Sequence, residues 1–366
     1  MKRIALNVDE SLLKRWKNKK TSDGYSGRKF EDHLRYMLRD TPLEDSPNTQ
    51  IARTTRQTLG KIWMQNFALN LPKMRATDQS LRSIASPDVK KIPAIVIGAG
   101  PSVFLNKHLA LLAKSDFKGE IIATDKMLIP SLTAGIKVNY VVSVDGDAKL
   151  IPPFFDDEIV EEHQQEFKTL LIGTTSPKTV EACEKRGLDI YYFETMQDNP
   201  NSEYSSTRSL IYMTMSEQNP QGIQAVPSGG NCGTTALAIT IDVLKNYRIA
   251  LIGFDFGYLK DQEPLKTSYY SSMLASFKER LKEPVPITTA RVNSIFSTFH
   301  HPDFNADAKS DFVWDSYREA LYGILESNQR PIELYNCTMG GTLYNPRLFK
   351  CIKLQEFLEL TNSTSP

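Results

Sequence analysis

The sequence has no apolar run of the roughly 18 residues needed to cross a bilayer. Its first residues also lack the apolar segment of a secretory signal peptide. The cysteines show neither close pairing nor the spacing of a zinc site, so we interpret them as reduced thiols. These absences predict a soluble cytoplasmic protein with no membrane span.

Net charge is nearly absent as well. Lys and Arg number 44 against 43 Asp and Glu, so the +1 total gives no global attraction to nucleic acid or to a membrane. The charge is uneven, because residues 1–40 hold eleven Lys or Arg against six Asp or Glu. Hydrophobic content of 40% over 366 residues is typical of a globular protein with two or three units.

Residues 1–40 are predicted to be a separate basic unit. Polar and apolar residues alternate over residues 3–8, as in a half-buried strand, and two helical segments follow. This β-α-α order resembles the ribbon-helix-helix family of dimeric DNA-binding proteins, whose paired strands lie in the major groove. The resemblance implies that Arg3, Ala5 and Asn7 face the bases. The alternative is a basic arm that dimerises or docks to a partner without meeting DNA.

The rest of the chain is predicted to form one core with attachments. Residues 41–91 are interpreted as a polar linker, ending near residue 55, and a packing helix. Residues 92–258 are the predicted core. A mostly helical insert or lid is expected over 259–330, and the last strand and closing helix of the core over 331–366.

Strands and helices alternate through the predicted core. This order predicts an α/β fold: an open, mostly parallel Rossmann-like sheet with helices on both faces. Ligands of such sheets bind at the carboxyl ends of the strands, where the distinctive motifs of this sequence fall. The predicted strands are 94–98, 120–124, 140–144, 168–173, 189–193 and 248–253.

A glycine turn follows the first of these strands. Gly98 and Gly100 allow a ligand to approach the backbone, and Pro101 and Ser102 begin a helix whose N-terminus attracts anions. The turn therefore predicts a phosphate site. Val103 stands where a dinucleotide fingerprint has its third glycine, which argues against a dinucleotide. A purely structural turn is the alternative.

Acidic residues follow three further predicted strands. Asp125 is placed to accept hydrogen bonds from a ribose, and Asp255 ends another core strand. Asp145 and Asp147 are separated by one glycine, and carboxylates this close favour a cation between them, such as Mg²⁺ on a phosphate. Helix capping by Asp125 and a solvated Asp-Gly turn are the alternatives.

A second glycine-rich entry to a helix supplies another candidate anion site, for a carboxylate or a phosphate. Packing of the helix against the sheet is the alternative use of its glycines. The candidate residues are Ser228, Gly229, Gly230, Asn231 and Thr234.

Two of the five histidines, His300 and His301, are adjacent in the stretch SIFSTFHHPDFN, which we predict to be irregular. Imidazoles titrate near neutral pH, so these are candidates for acid–base work. A solvated or core-satisfied pair is the alternative.

Together, the motifs IVIGAGPS, ATD, VVSVDGD, PSGGNCGTTAL, IALIGFDFGY and YNCTMGG resemble the MptE-like domain family, over about residues 60 to 360. That family includes 6-hydroxymethylpterin diphosphokinases and the motility accessory factor glycosyltransferases, which transfer nonulosonic sugars. PSGGNCGTTAL and YNCTMGG favour the glycosyltransferase branch, whereas SVDGD is partly similar to the diphosphokinases.

The resemblance implies a transferase that moves a nonulosonic sugar from a CMP-activated donor to a protein or glycan hydroxyl. The glycine turn would hold the donor phosphate, and Asp145, His300 or His301 would be catalytic. The alternative is a diphosphokinase that uses ATP, with Mg²⁺ held by Asp145 and Asp147. A third possibility is a non-catalytic nucleotide sensor that docks to DNA or a partner through its N-terminal unit.

Overall fold

The computed structural model describes residues 47–196, 198, 205–260 and 296–362. The predicted ribbon-helix-helix unit and residues 261–295 of the predicted insert lie outside this part of the chain. Within it, no helix combines the length and apolar character that a membrane span requires.

The described strands are, in chain order, β1 (Ala94–Ile97), β2 (Glu120–Thr124), β3 (Tyr140–Ser143), β4 (Lys168–Ile172), β5 (Ile190–Thr195), β6 (Gln224–Val226), β7 (Arg248–Ile252), β8 (Tyr258–Leu259), β9 (Ser297–His301), β10 (Ala306–Ser310), β11 (Glu333–Asn336) and β12 (Lys350–Cys351). The described α-helices are α1 (Pro47–Arg75), α2 (Leu81–Ile84), α3 (Ser102–Leu105), α4 (His108–Ala113), α5 (Leu128–Thr133), α6 (Glu158–Glu162), α7 (Pro177–Lys185), α8 (Ser206–Thr214), α9 (Cys232–Asp242), α10 (Phe312–Ser327) and α11 (Leu354–Asn362).

The described chain folds as two compact units. The first unit contains residues 47–90, 121–133 and 137–245, and the second contains residues 91–120, 134–136 and 246–362. In the first unit, strands β2-β3-β4-β5-β6 are parallel neighbours in that order. In the second, the parallel order is β12-β11-β7-β1, and β8-β10-β9 form a separate antiparallel sheet. These sheets confirm the mostly parallel α/β prediction.

The parallel strands form where apolar, often β-branched residues run without interruption. All four residues of β1 are buried, and β2, β4 and β7 are buried after their first residue. Strands of a sheet covered on both faces have this continuous pattern, because both sets of side chains must leave water. Short polar side chains then begin the helices: Ser176 caps α7, Asn231 caps α9 and Asp311 caps α10.

The compact units do not follow the predicted domain boundaries. Residues 92–258 are divided between the two units. The reason is parallel pairing: β1 pairs with β7, and β7 pairs with β11, so strands far apart in sequence become neighbours. The composition of a local stretch of sequence cannot predict such pairings.

Three predictions of local structure are corrected. Helix α1 begins at Pro47, within the stretch predicted as a linker, because proline is tolerated in a first helical turn and no further proline or glycine occurs before Gly60. The single helix predicted after Pro101 is two, α3 and α4, separated at Lys107, whose backbone is left-handed with φ of 53°. The stretch predicted to be irregular contains β9 of an antiparallel hairpin, which turns at left-handed Asn305.

Candidate functional site

The first unit brings several predicted acids to the carboxyl ends of its parallel strands. Asp125 directly follows β2, and its carboxylate accepts a hydrogen bond from Ser143 Oγ at 2.7 Å and from the Lys126 N–H at 2.7 Å. The side chain is buried, and burial raises the pKa of Asp125 to about 6, against the opposing effect of the Ser143 hydrogen bond. The Asp125 carboxyl group is therefore buried and fixed in place by these two hydrogen bonds.

Asp145 and Asp147 follow β3 in two consecutive turns. Asp145 Oδ1 accepts the Asp147 N–H at 2.9 Å, and Asp147 Oδ1 accepts the N–H groups of Lys149 and Leu150 at 2.7 and 2.8 Å. Asp145 reaches the surface, but the surrounding protein partly desolvates its carboxylate and raises its pKa. Among the described residues, no group of three or more His, Cys, Asp or Glu side chains could hold a metal ion, and the Mg²⁺ site at Asp145 and Asp147 stays a prediction.

The second glycine-rich loop is built around the N-terminus of α9. Asn231 Oδ1 accepts the Thr234 N–H at 2.9 Å, while its Nδ2 donates to Thr234 Oγ1 at 2.9 Å. Ser228 Oγ accepts the Gly230 N–H at 3.1 Å. Gly229 has a φ of 58°, and a Cβ there would lie 2.5 Å from Thr234 Cγ2, so the loop requires glycine at this position. All five predicted residues of this loop thus lie together at the start of α9.

Cys232 joins this loop to the acidic side chains. Its thiol donates to the Val142 carbonyl of β3 at 2.9 Å. Burial raises the pKa of this thiol, and the neighbouring Asp125 carboxylate raises it further. The thiol is therefore not a nucleophile near neutral pH. Its contacts place the glycine-rich loop beside Asp125. The sequence interpretation of Cys232 as a reduced thiol did not anticipate this.

Glu194, in β5, is a further acid that the sequence interpretation missed. Its side chain is completely buried, and neither carboxyl oxygen reaches hydrogen-bond geometry with any described part of the chain, although N–H groups of Gly173, Thr174 and Thr195 face it. Burial raises the pKa of Glu194 to about 8. The sequence feature that could have revealed it is a single acidic residue in the strand IYYFET, whose other residues are apolar or carry a hydroxyl group.

In the second unit, the Gly98–Ser102 turn packs against the loop after β7. The Gly98 and Gly100 N–H groups donate to the carbonyls of Ile252 and Gly253 at 2.8 and 2.9 Å. A Cβ at Gly100 would overlap the Asp255 carboxylate and lie 2.6 Å from the Gly253 oxygen. These glycines are therefore required for close packing of two backbones, and α3 after them has only four residues.

Asp255 is hydrogen-bonded to Ser102, one of the residues predicted to bind a phosphate. Its Oδ2 accepts the Ser102 hydroxyl at 2.7 Å, beside Pro101. Its Oδ1 has no hydrogen-bond partner in the described chain, and burial raises the pKa of this carboxyl to about 7. The structure brings the predicted residues together, but with a protein carboxylate on the Ser102 hydroxyl. Phosphate binding by this turn stays a prediction.

Replacement of Gly253 by alanine is expected to destabilise the protein by roughly 2 to 4 kcal/mol. Gly253 has a φ of 73°, and a Cβ there would overlap the Gly98 oxygen and lie 2.5 Å from Val103 Cγ2. Urea unfolding measures the change. The matched control is Gly323→Ala in α10, where a Cβ meets nothing within 4 Å and helix propensity predicts a gain of about 0.5 to 1 kcal/mol. Equal stabilities of the two variants would contradict the packing role of Gly253.

The two candidate histidines lie in β9 of the second unit. His301 is buried, and burial lowers its pKa. Its Nε2 lies 3.1 Å from the Leu343 oxygen, and its Nδ1 accepts the Phe304 N–H at 3.3 Å. We assign the neutral tautomer protonated on Nε2, because each nitrogen then has a partner. His300 is exposed and pairs with Asp307 at 2.7 Å. His301 therefore has the contacts of a buried histidine whose two ring nitrogens are hydrogen-bonded, and His300 those of a solvated one. The catalytic role of either residue stays a prediction.

A family model described as 6-hydroxymethylpterin diphosphokinase MptE-like matches residues 65–261, more than half of the chain. The structure of a MAf glycosyltransferase from Magnetospirillum magneticum AMB-1 resembles the chain with a TM-score of 0.46 and 17% identity, covering 86% of this chain and 48% of the other. This chain thus spans about half the length of that enzyme. A hypothetical protein of Thermus thermophilus gives a TM-score of 0.16 and 11% identity over 80% of each chain. No curated protein matches.

Proposed function

This chain belongs to the MptE-like family, and from that membership we propose that it is a transferase acting with a nucleotide-activated donor. The proposed donor is a CMP-linked nonulosonic sugar, and the acceptor is a hydroxyl group of a protein or a glycan. One observation carries the proposal: in the first unit, Cys232 joins the glycine-rich loop before α9 to the acids that follow β2 and β3.

In the proposed reaction the acceptor oxygen forms a bond to the anomeric carbon of the sugar. The bond from that carbon to the phosphate oxygen breaks, and CMP leaves with the bonding electrons. The acceptor proton passes to Asp145, whose carboxylate reaches the surface and has a raised pKa. A carboxyl group is a better proton acceptor near neutral pH when its pKa is raised, which supports Asp145 as the base. Asp125, held by Ser143, positions the ribose or the acceptor hydroxyl.

The glycine-rich loop is the proposed site for the anionic part of the donor. It precedes α9, an eleven-residue helix whose N-terminal N–H groups and dipole favour negative charge. Because Ser102 is already bonded to Asp255 in the second unit, we assign the sugar carboxylate or donor phosphate to the loop from Ser228 to Thr234.

Replacement of Asn231 by aspartate is expected to weaken donor binding at least about tenfold without loss of stability. Aspartate caps a helix about as well as asparagine, because it still accepts the Thr234 N–H, and the Thr234 hydroxyl can donate to it in place of the lost Nδ2 bond. The new negative charge repels an anionic donor. Calorimetric titration with CMP-activated sugar measures affinity, and thermal unfolding checks stability. An unchanged affinity would remove the loop from the proposed donor site.

A diphosphokinase remains the second candidate, because the matching family model carries that description and Asp145 and Asp147 present oxygen ligands of the kind that Mg²⁺ prefers. Bound Mg²⁺ would neutralise the charge of the ATP phosphates during transfer to a pterin alcohol. The Oδ1 atoms of both residues are used in their own turns, so their Oδ2 atoms would bind the ion.

Calorimetric titration with CMP and with ATP, each with and without Mg²⁺, separates the two candidates. The proposed sugar transferase predicts CMP binding that does not depend on Mg²⁺. Binding of ATP only in the presence of Mg²⁺, with no binding of CMP, would overturn it and favour the diphosphokinase.

A further inference from the structure

Two buried asparagines of α1 bind backbone carbonyls at the carboxyl ends of β3 and β4. Asn66 Nδ2 donates to the Gly146 and Thr174 oxygens, both at 3.1 Å. Asn70 Nδ2 donates to the Gly173 and Thr175 oxygens at 3.1 and 2.8 Å. The exposed fractions of the two residues are 8% and 1%. The side-chain N–H groups of one helix thus serve four carbonyls that lie beyond the ends of their strands.

The bonds act on the loop that carries Asp145 directly through Asn66, and indirectly through Thr175, whose carbonyl Asn70 binds. Asn66 binds Gly146, the residue directly after Asp145, and Thr175 Oγ1 donates to the Asp145 carbonyl at 3.1 Å. The packing is close, because a Cβ at Gly146 would lie 3.0 Å from the Thr174 oxygen and 3.1 Å from Asn66 Nδ2. The carbonyls of Asp145 and Gly146 are therefore both held from outside their own turn.

The four hydrogen bonds from α1 require side chains with N–H donors, and they require these side chains at a particular spacing along the helix. An asparagine amide has two N–H donors, and each amide here directs its nitrogen to two carbonyls. Residues four apart lie on one face of a helix, so α1 presents both amides to the same sheet edge. Aliphatic side chains at these positions would pack but would leave buried carbonyls unpaired.

We infer that Asn66 and Asn70 are positioning residues, through which α1 fixes the backbone around Asp145 for the proton transfer from the acceptor hydroxyl. The inference rests on the proposed function for its catalytic consequence. Hydrogen exchange measures separately whether α1 holds this loop, independently of the reaction.

The test compares Asn66→Asp, Asn70→Asp and Thr175→Val with the wild type. Aspartate keeps the shape of asparagine but has no N–H groups for the carbonyls, whereas valine removes a single hydrogen bond and is the mild variant if the others fail to fold. Hydrogen exchange of the amides over residues 145–148 is expected to accelerate on the order of tenfold. The kcat for CMP release is expected to fall about 10- to 100-fold, with the KM for the donor unchanged.

The matched control is Asn106→Asp in the second unit, where Nδ2 also donates to two backbone carbonyls, of Thr338 and Met339, at 3.0 and 3.3 Å. It should leave exchange over residues 145–148 unchanged. Unchanged exchange in the Asn66, Asn70 and Thr175 variants would overturn the inference, whatever the activity. Accelerated exchange with unchanged kcat would overturn the catalytic consequence. Accelerated exchange in a protein that neither binds CMP nor releases it would support the holding of the loop and reject the proposed function alone.

Discussion

Replacing Asp145 with asparagine is expected to lower kcat for CMP release by about 10²- to 10⁴-fold, the usual contribution of a general base. The amide cannot take the proton of the acceptor hydroxyl. Its oxygen can still accept the Asp147 N–H, so the turn after β3 should keep its shape. The loss should therefore appear in kcat rather than in stability or in the KM for the donor.

Asp147→Asn is the matched control for this measurement. Asp147 lies two residues along the same loop, is exposed, and uses its Oδ1 to accept the Lys149 and Leu150 N–H groups, a role that an amide oxygen can fill. Steady-state kinetics should give this variant nearly wild-type kcat. A wild-type rate in Asp145→Asn would remove Asp145 as the base. Loss of Mg²⁺-dependent ATP binding in both variants would instead favour the diphosphokinase.

Replacing Glu194 with glutamine is expected to stabilise the protein increasingly as pH rises. Burial holds the pKa of Glu194 at about 8, against an ordinary value of 4.5, so the folded protein binds this proton more tightly than the unfolded chain. Between these two values the unfolded chain ionises while the folded protein stays neutral. The free energy of unfolding therefore falls as pH rises, and the loss is complete above pH 8.

A pKa difference of this size corresponds to roughly 5 kcal/mol by pH 9. Glutamine has no proton to lose, so the Glu194→Gln variant should escape the penalty. Urea unfolding from pH 5 to pH 9 should show a stability advantage that is small at pH 5 and grows by several kcal/mol, most of the change coming between pH 5 and 8.

The control for this series is Glu181→Gln, an exposed acid on α7 of the same unit. Its advantage over the wild type should stay within about 0.5 kcal/mol across the range, as for most surface changes. A flat difference between Glu194→Gln and the wild type would show that Glu194 is not held neutral in the folded state.

Much of the architecture follows from local sequence. The six strands predicted from continuous apolar runs all occur, with ends within two residues of those observed, because a strand buried on both faces has to be apolar throughout. Asp125, Asp145 and Asp147 follow two of these strands and the second glycine-rich loop follows β6, so parallel pairing alone brings them to one sheet edge in the first unit. The family could also be identified from the order of these motifs.

Hydrogen bonds between distant residues were decided only by the tertiary structure. Asn66 and Gly146 are 80 residues apart, and Ser102 and Asp255 are 153 apart, so no local periodicity reveals either contact. The same holds for burial: His301 and Glu194 look like ordinary polar residues in the sequence, and only packing removes both from water. By itself, the sequence determined which segments form strands and which polar residues follow them, since both depend on neighbours along the chain. The tertiary structure decided which of those residues are already satisfied by the protein, because a partner far along the chain exists only once the sheet has formed.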